Sequence, residues 1–399
     1  MSVMPSPITS PTLVSSAHYD LLVIGGGVFG LSIARSCLGA GLSTLLVDKG
    51  QIGHGASYGL LGALLPHMSE RWNEKKQFQY IALDQLSKVK VSLEEEVGIS
   101  IGYDRCGRIV PLATDDLRKA HEVRSKEAET LWHGAETGYF HKVFEKTNLN
   151  GWLNVELCPE GYAYDNFSAR ANPRSYCAAA KASVLKRGGK VMEQVGVVDI
   201  QDLGEGAQVT LSNGDVISAG VVVMAAGYKS FPMIEKVTGT ENLGKGVKGQ
   251  AVIAKVGQPD GMPILFDRKV YVVPHDDGMC AIGSTTEPQW DDEHSTDNRC
   301  DEMFEIAKDL CPMLEGAEIV TRWAGIRPKP KKRDPMVGFL PGSKCLFAAT
   351  GGFKIGFGIA HAIAQVSVER IAGLTPTLKL PNSFEAYNHL NGEPWTWSP

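Results

Sequence analysis

The chain has 399 residues, 43% of them apolar and 21% charged, with a formal net charge of −5. This is the composition of a globular protein long enough for two interleaved units. It lacks the basic footprint of a nucleic-acid binder, and no stretch reaches the roughly 18 apolar residues of a membrane span. The eight cysteines are scattered with no CxxC pair, so they read as buried reduced thiols of a cytoplasmic protein, and no metal site is expected. Residues 1–18 (MSVMPSPITSPTLVSSAH) lack the basic start and apolar centre of a signal peptide and read as a disordered tail.

Tyr19–Ile24 (YDLLVI) is a short, apolar run that fits a buried parallel strand. A glycine turn follows, then a helix from about Val28 to Ala40, which Gly41 ends. Leu42–Val47 reads as the second strand, completing one βαβ unit. Gly53–Pro66 is a loop of small residues, and a long helix spans Glu74 to Glu96. Asn172 caps a helix over Pro173–Lys186, with proline at its first position. Lys190–Met192, Gln208–Leu211, Val216–Ile217 and Val221–Met224 read as strands, with a hairpin turn at Asn213-Gly214. Alternation from Gly249 to Glu287 predicts antiparallel sheet. Lys329–Arg333 (KPKKR) reads as a solvated loop. The chain closes with a strand over Cys345–Ala349, a glycine turn and a helix from Ile355 to Ala372.

Gly25, Gly27 and Gly30 form G-x-G-x-x-G between a strand and a helix. The first allows a tight turn, the second a close approach of backbone to a pyrophosphate, and the third close helix packing. Val28 and Phe29 complete the first helical turn. Asp48 ends the second strand, where a carboxylate accepts hydrogen bonds from both ribose hydroxyls and repels a 2′-phosphate. This unit serves NAD or FAD, and three later features favour FAD. The small-residue loop at Ala56, Ser57, Leu61, Gly62 and Ala63 suits an extended second phosphate and ribityl chain. The run Val221–Gly227 ends in small residues, Ala226 and Gly227, suited to pass under the adenosine half. The turn Gly352, Phe353, Lys354, Ile355, Gly356 opens a helix whose dipole suits a flavin oxygen.

The segments YDLLVIGGGVFGLSIA, ASYGLLGALLP, ANPRSYCAAA, VVVMAAGYKS, VKGQ, YVVPHDDGMCAIGSTTE, WAGIRPKPKKRDPMVGFLP and ATGGFKIGFGIA occur in this order. In them the chain resembles the D-amino-acid-oxidase-type family of FAD-dependent amine oxidoreductases, nearest its glycine oxidase branch. The resemblance implies an α/β plus α+β fold, with a Rossmann-type FAD-binding domain built from residues 19–100, 150–230 and 335–385. Residues 101–149 and 231–334 would form a substrate domain on a large antiparallel sheet. It also implies non-covalent FAD, with Lys49 and Val197 added to the cofactor contacts.

Members hold a substrate carboxylate with the arginine of W-A-G-x-R-P, here Arg327. The basic residue of the last glycine turn, Lys354, and the tyrosine of Y-x-V-P, Tyr271, assist. An arginine fork binds a carboxylate bidentately and a tyrosine adds a directional donor. Glycine oxidase has arginine at the position of Lys354, and histidine at that of Lys269. The added lysine points to a substrate with a second acidic group or with an acidic N-substituent. The implied reaction oxidises the C–N bond of an amino acid or N-substituted amino acid by hydride transfer to flavin N5, followed by imine hydrolysis. The electron acceptor is left open between O2 and a quinone or partner protein, as is a homo- or hetero-oligomeric state. Two other readings are an electron-transferring flavin subunit of an opine- or D-hydroxyproline-type dehydrogenase and an NAD-linked dehydrogenase.

Overall fold

The computed structural model describes residues 18–145, 149, 151–257, 259 and 261–390. The expected tail lies outside them except for His18, which opens the first strand, His18–Ile24.

One eight-stranded sheet has the path Met336–Phe339, Leu346–Thr350, Val216–Met224, His18–Ile24, Thr44–Val47, Lys190–Met192. The five strands from Leu346–Thr350 onward pair in parallel. Their apolar runs are continuous because both faces are covered. Residues 21–24, 44–47 and 346–350 are all buried. Helices Val28–Gly39, Pro173–Lys186 and Gly356–Ile371 contribute to the core on one face. Helix Ser230–Thr238 and the hairpin strand Ala207–Leu211 contribute to the core on the other. Parallel pairing sets the carboxyl ends of four strands on one edge, where Gly25, Asp48, Ala225 and Gly351 follow. In open parallel sheets this edge holds ligands.

The helix over Glu74–Val97 and the Asn172 cap of helix Pro173–Lys186 match the sequence reading. The cap side chain accepts from the Arg174 and Ser175 amides at 3.1 Å each. The two short strands expected around Gly220 are one strand, Val216–Met224. Glycine at its centre does not break it, because a side chain there would press on the Asp20 carbonyl 3.0 Å away. The final strand and helix each begin one residue later than expected, at Leu346 and Gly356.

The second eight-stranded sheet runs Glu318–Pro330, Gly244–Lys255, Met279–Gly283, Val270–Pro274, Ile264–Asp267, Arg108–Pro111, Tyr162–Asp165, His141–Phe144. It is antiparallel, as expected, with one parallel pairing, Ile264–Asp267 on Arg108–Pro111. Tyr162–Asp165, placed with the first sheet's segments by the sequence, belongs here instead. A buried ion pair ties it in, with Arg108 Nη2 2.8 Å from Asp165 Oδ2.

A second correction concerns the basic stretch. Strand Glu318–Pro330 runs through Pro328, Lys329 and Pro330, paired with Gly246, Lys245 and Gly244. It is an edge strand, where proline's missing N–H is tolerated. Lys329 is therefore a half-buried strand residue, and only the segment after Pro330 turns.

Candidate active site

The first glycine turn leaves no room for a side chain at Gly25 or Gly30. Gly25 has φ +103°, and a Cβ there would lie 2.5 Å from Ala226 Cα. A Cβ on Gly30 would lie 1.9 Å from the Gly25 carbonyl oxygen, and one on Gly27 3.3 Å from Ser57 Oγ. Ser57 Oγ accepts from the Val28 amide at 2.9 Å, so the small-residue loop reaches the N-terminus of the glycine helix.

Asp48 closes the turn from the next strand. Its Oδ2 accepts from the Gly26 amide at 2.7 Å and its Oδ1 from the Gly50 amide at 2.8 Å. A carboxylate offers about four lone-pair sites, so about two remain for ribose hydroxyls. Lys49 is exposed beside it, and Val197 begins a strand two residues after Val195, whose amide donates to the Asp48 carbonyl at 2.9 Å.

Asp48→Ala is expected to weaken FAD binding about 10–100-fold, the scale of one or two charge-assisted hydrogen bonds of roughly 1.5 kcal/mol each. Flavin fluorescence titration of the apoprotein reads it. Unchanged affinity would remove Asp48 from the ribose site.

The other small-residue segments converge on the same edge. Gly62 has φ +63°, and a Cβ there would lie 1.7 Å from the Ala171 carbonyl. Ala63 starts a short strand paired with Arg170, and Ala56–Tyr58 is a single 3-10 turn. Leu61 touches Gly283 of the second sheet, where a Cβ would meet its methyl at 2.9 Å. The Gly227 carbonyl accepts from Thr350 Oγ1 at 2.7 Å. Gly352 rests on Phe29, whose ring lies 2.9 Å from where a Cβ would be. Phe353 has φ +40°, and Ile355 N–H donates to the Gly352 carbonyl at 2.8 Å, closing the turn before Gly356. The glycine cradle, the spare acceptors of Asp48 and the second glycine turn seated on the first helix fit an extended dinucleotide. Cys345 is buried at the far end of its strand from Gly351, with Sγ 3.2 Å from the Gly206 carbonyl, so no thiol faces this turn from there.

Arg327 projects from the edge strand and is held by protein oxygens. Nη1 donates to Ser284 Oγ at 3.0 Å, and Nη2 to the Lys248 and Thr285 carbonyls at 3.1 and 2.6 Å. Its Nε is buried without a partner. Burial holds the guanidinium pKa below its ordinary value, and the charge of Glu287 partly offsets this. Glu287 itself is bound to Arg299, 3.0 Å away, and to the Gln250 amide, 3.1 Å away. Gly249 makes room, since a Cβ there would lie 2.4 Å from Arg327 Nη2.

Lys354 follows Phe353. Its pKa is held below the usual lysine value by desolvation, then by the charges of Arg327, Lys329 and Lys269. Arg327, Lys329 and Lys354 surround the Phe353 ring, at 5.8, 6.0 and 5.9 Å from its centre. Tyr271 is not joined to them by a hydrogen bond among the described residues. It stacks on Phe266 at 4.3 Å, and two strands separate its own from that of Arg327. Burial raises its phenol pKa, and the charge of Arg108 opposes the rise.

Three groups escape the sequence reading. Ser284 and Gly249 fix and accommodate Arg327, and Lys329 joins its face. Alternation along the edge strand puts residues 327 and 329 on one face, so recognising the strand would have exposed Lys329. His275 Nε2 lies 3.1 Å from both the Leu60 and Leu61 carbonyls, tying the small-residue loop to the second sheet.

Residues 20–370 match the family model described as FAD dependent oxidoreductase. The chain is 28% identical over 372 residues to the glycine oxidase of Pseudomonas aeruginosa, covering 90% of this chain and 96% of that one. It is 25% identical over 363 residues to the glycine oxidase of Bacillus licheniformis, covering 89% and 94%. The crystal structure of glycine oxidase from Geobacillus kaustophilus superposes with a TM-score of 0.83 at 23% identity, covering 93% of this chain and 99% of that one. At that identity the last likeness concerns the fold. The family match sets aside the nicotinamide reading.

Proposed function

The chain belongs to the family of FAD-dependent oxidoreductases, and from that premise we propose that it oxidises the C–N bond of an amino acid or N-substituted amino acid whose carboxylate is held by Arg327. One observation carries the choice of substrate. Arg327 is a half-buried cation whose Nε is buried without a partner, beside the second glycine turn, and among the described residues no carboxylate pairs with it. A buried charge is stable only when paired or well hydrogen-bonded, so a ligand carboxylate completes it. FAD, held by Gly25–Gly30, Asp48, Ser57 and the Gly352–Gly356 turn, supplies a two-electron acceptor when bound.

The chain's own residues do the rest. Ser284 Oγ and the carbonyls of Lys248 and Thr285 fix the guanidinium, so the carboxylate and the carbon beside it arrive in one orientation. Nearby positive charge disfavours a protonated substrate amine, which keeps the nitrogen lone pair available. Tyr271 supplies a hydroxyl from the neighbouring part of the sheet. The oxidised substrate is an imino acid, which water hydrolyses to a carbonyl acid and an amine.

Assay of carbonyl product from matched pairs tests this reading. Sarcosine and glycine should yield glyoxylate, whereas dimethylamine and methylamine, which lack the carboxylate, should yield no aldehyde. Equal turnover within each pair would exclude a carboxylate anchor.

A further inference from the structure

Three cations surround the turn at Phe353, and a fourth lies on the neighbouring hairpin. Arg327, Lys329 and Lys354 lie 5.8, 6.0 and 5.9 Å from the centre of the Phe353 ring. Lys269 is close enough to act on Lys354 electrostatically. Among the described residues, the ammonium groups of Lys269, Lys329 and Lys354 have neither a hydrogen bond nor an ion pair. One carboxylate needs only Arg327. Three further uncompensated cations beside it repel one another in the free protein.

The backbone holds them there. Lys269 sits at φ +71° after Arg268 at +47°, in the hairpin turn joining Ile264–Asp267 to Val270–Pro274. Phe353, at the centre of the cluster, has φ +40°. L side chains seldom adopt such angles, and they persist where surrounding structure or function requires them. The cations are also graded in depth. Arg327 and Lys329 are half-buried, and Lys354 and Lys269 are exposed.

We propose that the site takes amines bearing two carboxylates, one held by Arg327 and the second by Lys269, Lys329 and Lys354. This rests on the amine-oxidising reading above and narrows its substrate class. Arg327 and Lys329 lie two residues apart on one strand face, roughly 7 Å along it. That separation suits two carboxylates on one small molecule. The second carboxylate is carried either on the nitrogen substituent or on the carbon side chain.

Binding of unreactive ligands to the flavin-loaded protein separates this from turnover. Diglycolate and methoxyacetate differ by one carboxylate and contain no amine. Calorimetry should show diglycolate bound at least about tenfold more tightly, with the ratio shrinking between about 50 and 500 mM salt. In the double variant K269Q/K329Q the ratio should fall to about twofold. Equal affinities in the wild type would overturn the proposal, and so would a ratio unchanged in the variant. Loss of flavin affinity with the ratio unchanged would also overturn it, assigning the lysines to the cofactor. If the variant fails to fold, the wild-type ratio and its salt dependence decide.

Turnover then locates the second carboxylate. Preference for iminodiacetate over sarcosine supports the nitrogen side, and preference for aspartate over alanine supports the carbon side. Oxidation of these amines with neither preference would overturn the proposal. If no amine is oxidised while diglycolate is still preferred, the proposed function fails and the dicarboxylate site stands.

Discussion

Arg327→Ala is expected to lower kcat/KM for every carboxylated amine by about two to three orders of magnitude. Breaking one side of a desolvated charge pair costs about 3–5 kcal/mol, and each 1.4 kcal/mol is tenfold. The substrate carboxylate would then face the Lys248 and Thr285 carbonyls, which lose their donor and repel it. Lysine at 327 should recover part of the loss, since it keeps the charge but not the fork. These same carbonyls and Ser284 lose a donor in the alanine variant. Thermal unfolding must therefore be read alongside, and only a loss in kcat/KM with the fold retained bears on the anchor. A change below about fivefold with the fold retained would show that another group binds the carboxylate.

Gly30→Ala should yield a protein that retains little or no flavin. The new Cβ would sit 1.9 Å from the Gly25 carbonyl oxygen and 3.2 Å from Val23 Cγ1. The first of these is backbone, so no side chain can swing away and the turn itself must shift. Overpacking of this kind costs about 1–3 kcal/mol or more. Here the displaced atoms are those that shape the approach to the pyrophosphate. FAD affinity should fall at least about a hundredfold, measured from the flavin content after purification and by titration. Gly39→Ala, in the same helix, is the control. Its Cβ would meet only a side-chain atom, Arg187 Nη1 at 2.6 Å, which can shift at the expense of its bond to the Arg35 carbonyl, and flavin content should be normal.

The cofactor half of the molecule was legible because its signals are local. Buried parallel strands write continuous apolar runs, and a glycine turn followed by Asp48 keeps its spacing whatever surrounds it. The substrate half was less so. Arg327 and Lys354 were found through motifs, and Lys269 through a departure from one. Lys329 was missed because two prolines make its segment read as loop, and only its position on a sheet edge permits a strand there. Ser284 and Gly249 act through contacts with a residue some forty or more positions away, on other strands, and no local pattern announces them. Tyr162–Asp165 was misplaced for a similar reason, since what fixes it is long-range pairing to Arg108–Pro111. Tyr271 and Arg327 share the sheet, yet the strand order that separates them is a property of topology rather than of either motif.

Anaerobic mixing of the purified, flavin-loaded protein with carboxylated amines tests the central claim most directly. Absorbance near 450 nm, which only the flavin supplies, is followed with sarcosine, iminodiacetate and aspartate, and with dimethylamine as the uncharged-side control. Bleaching is expected with at least one carboxylated amine and not with dimethylamine, at a rate reduced by orders of magnitude in Arg327→Ala. Bleaching by dimethylamine at the same rate, or no bleaching by any carboxylated amine, would contradict that claim.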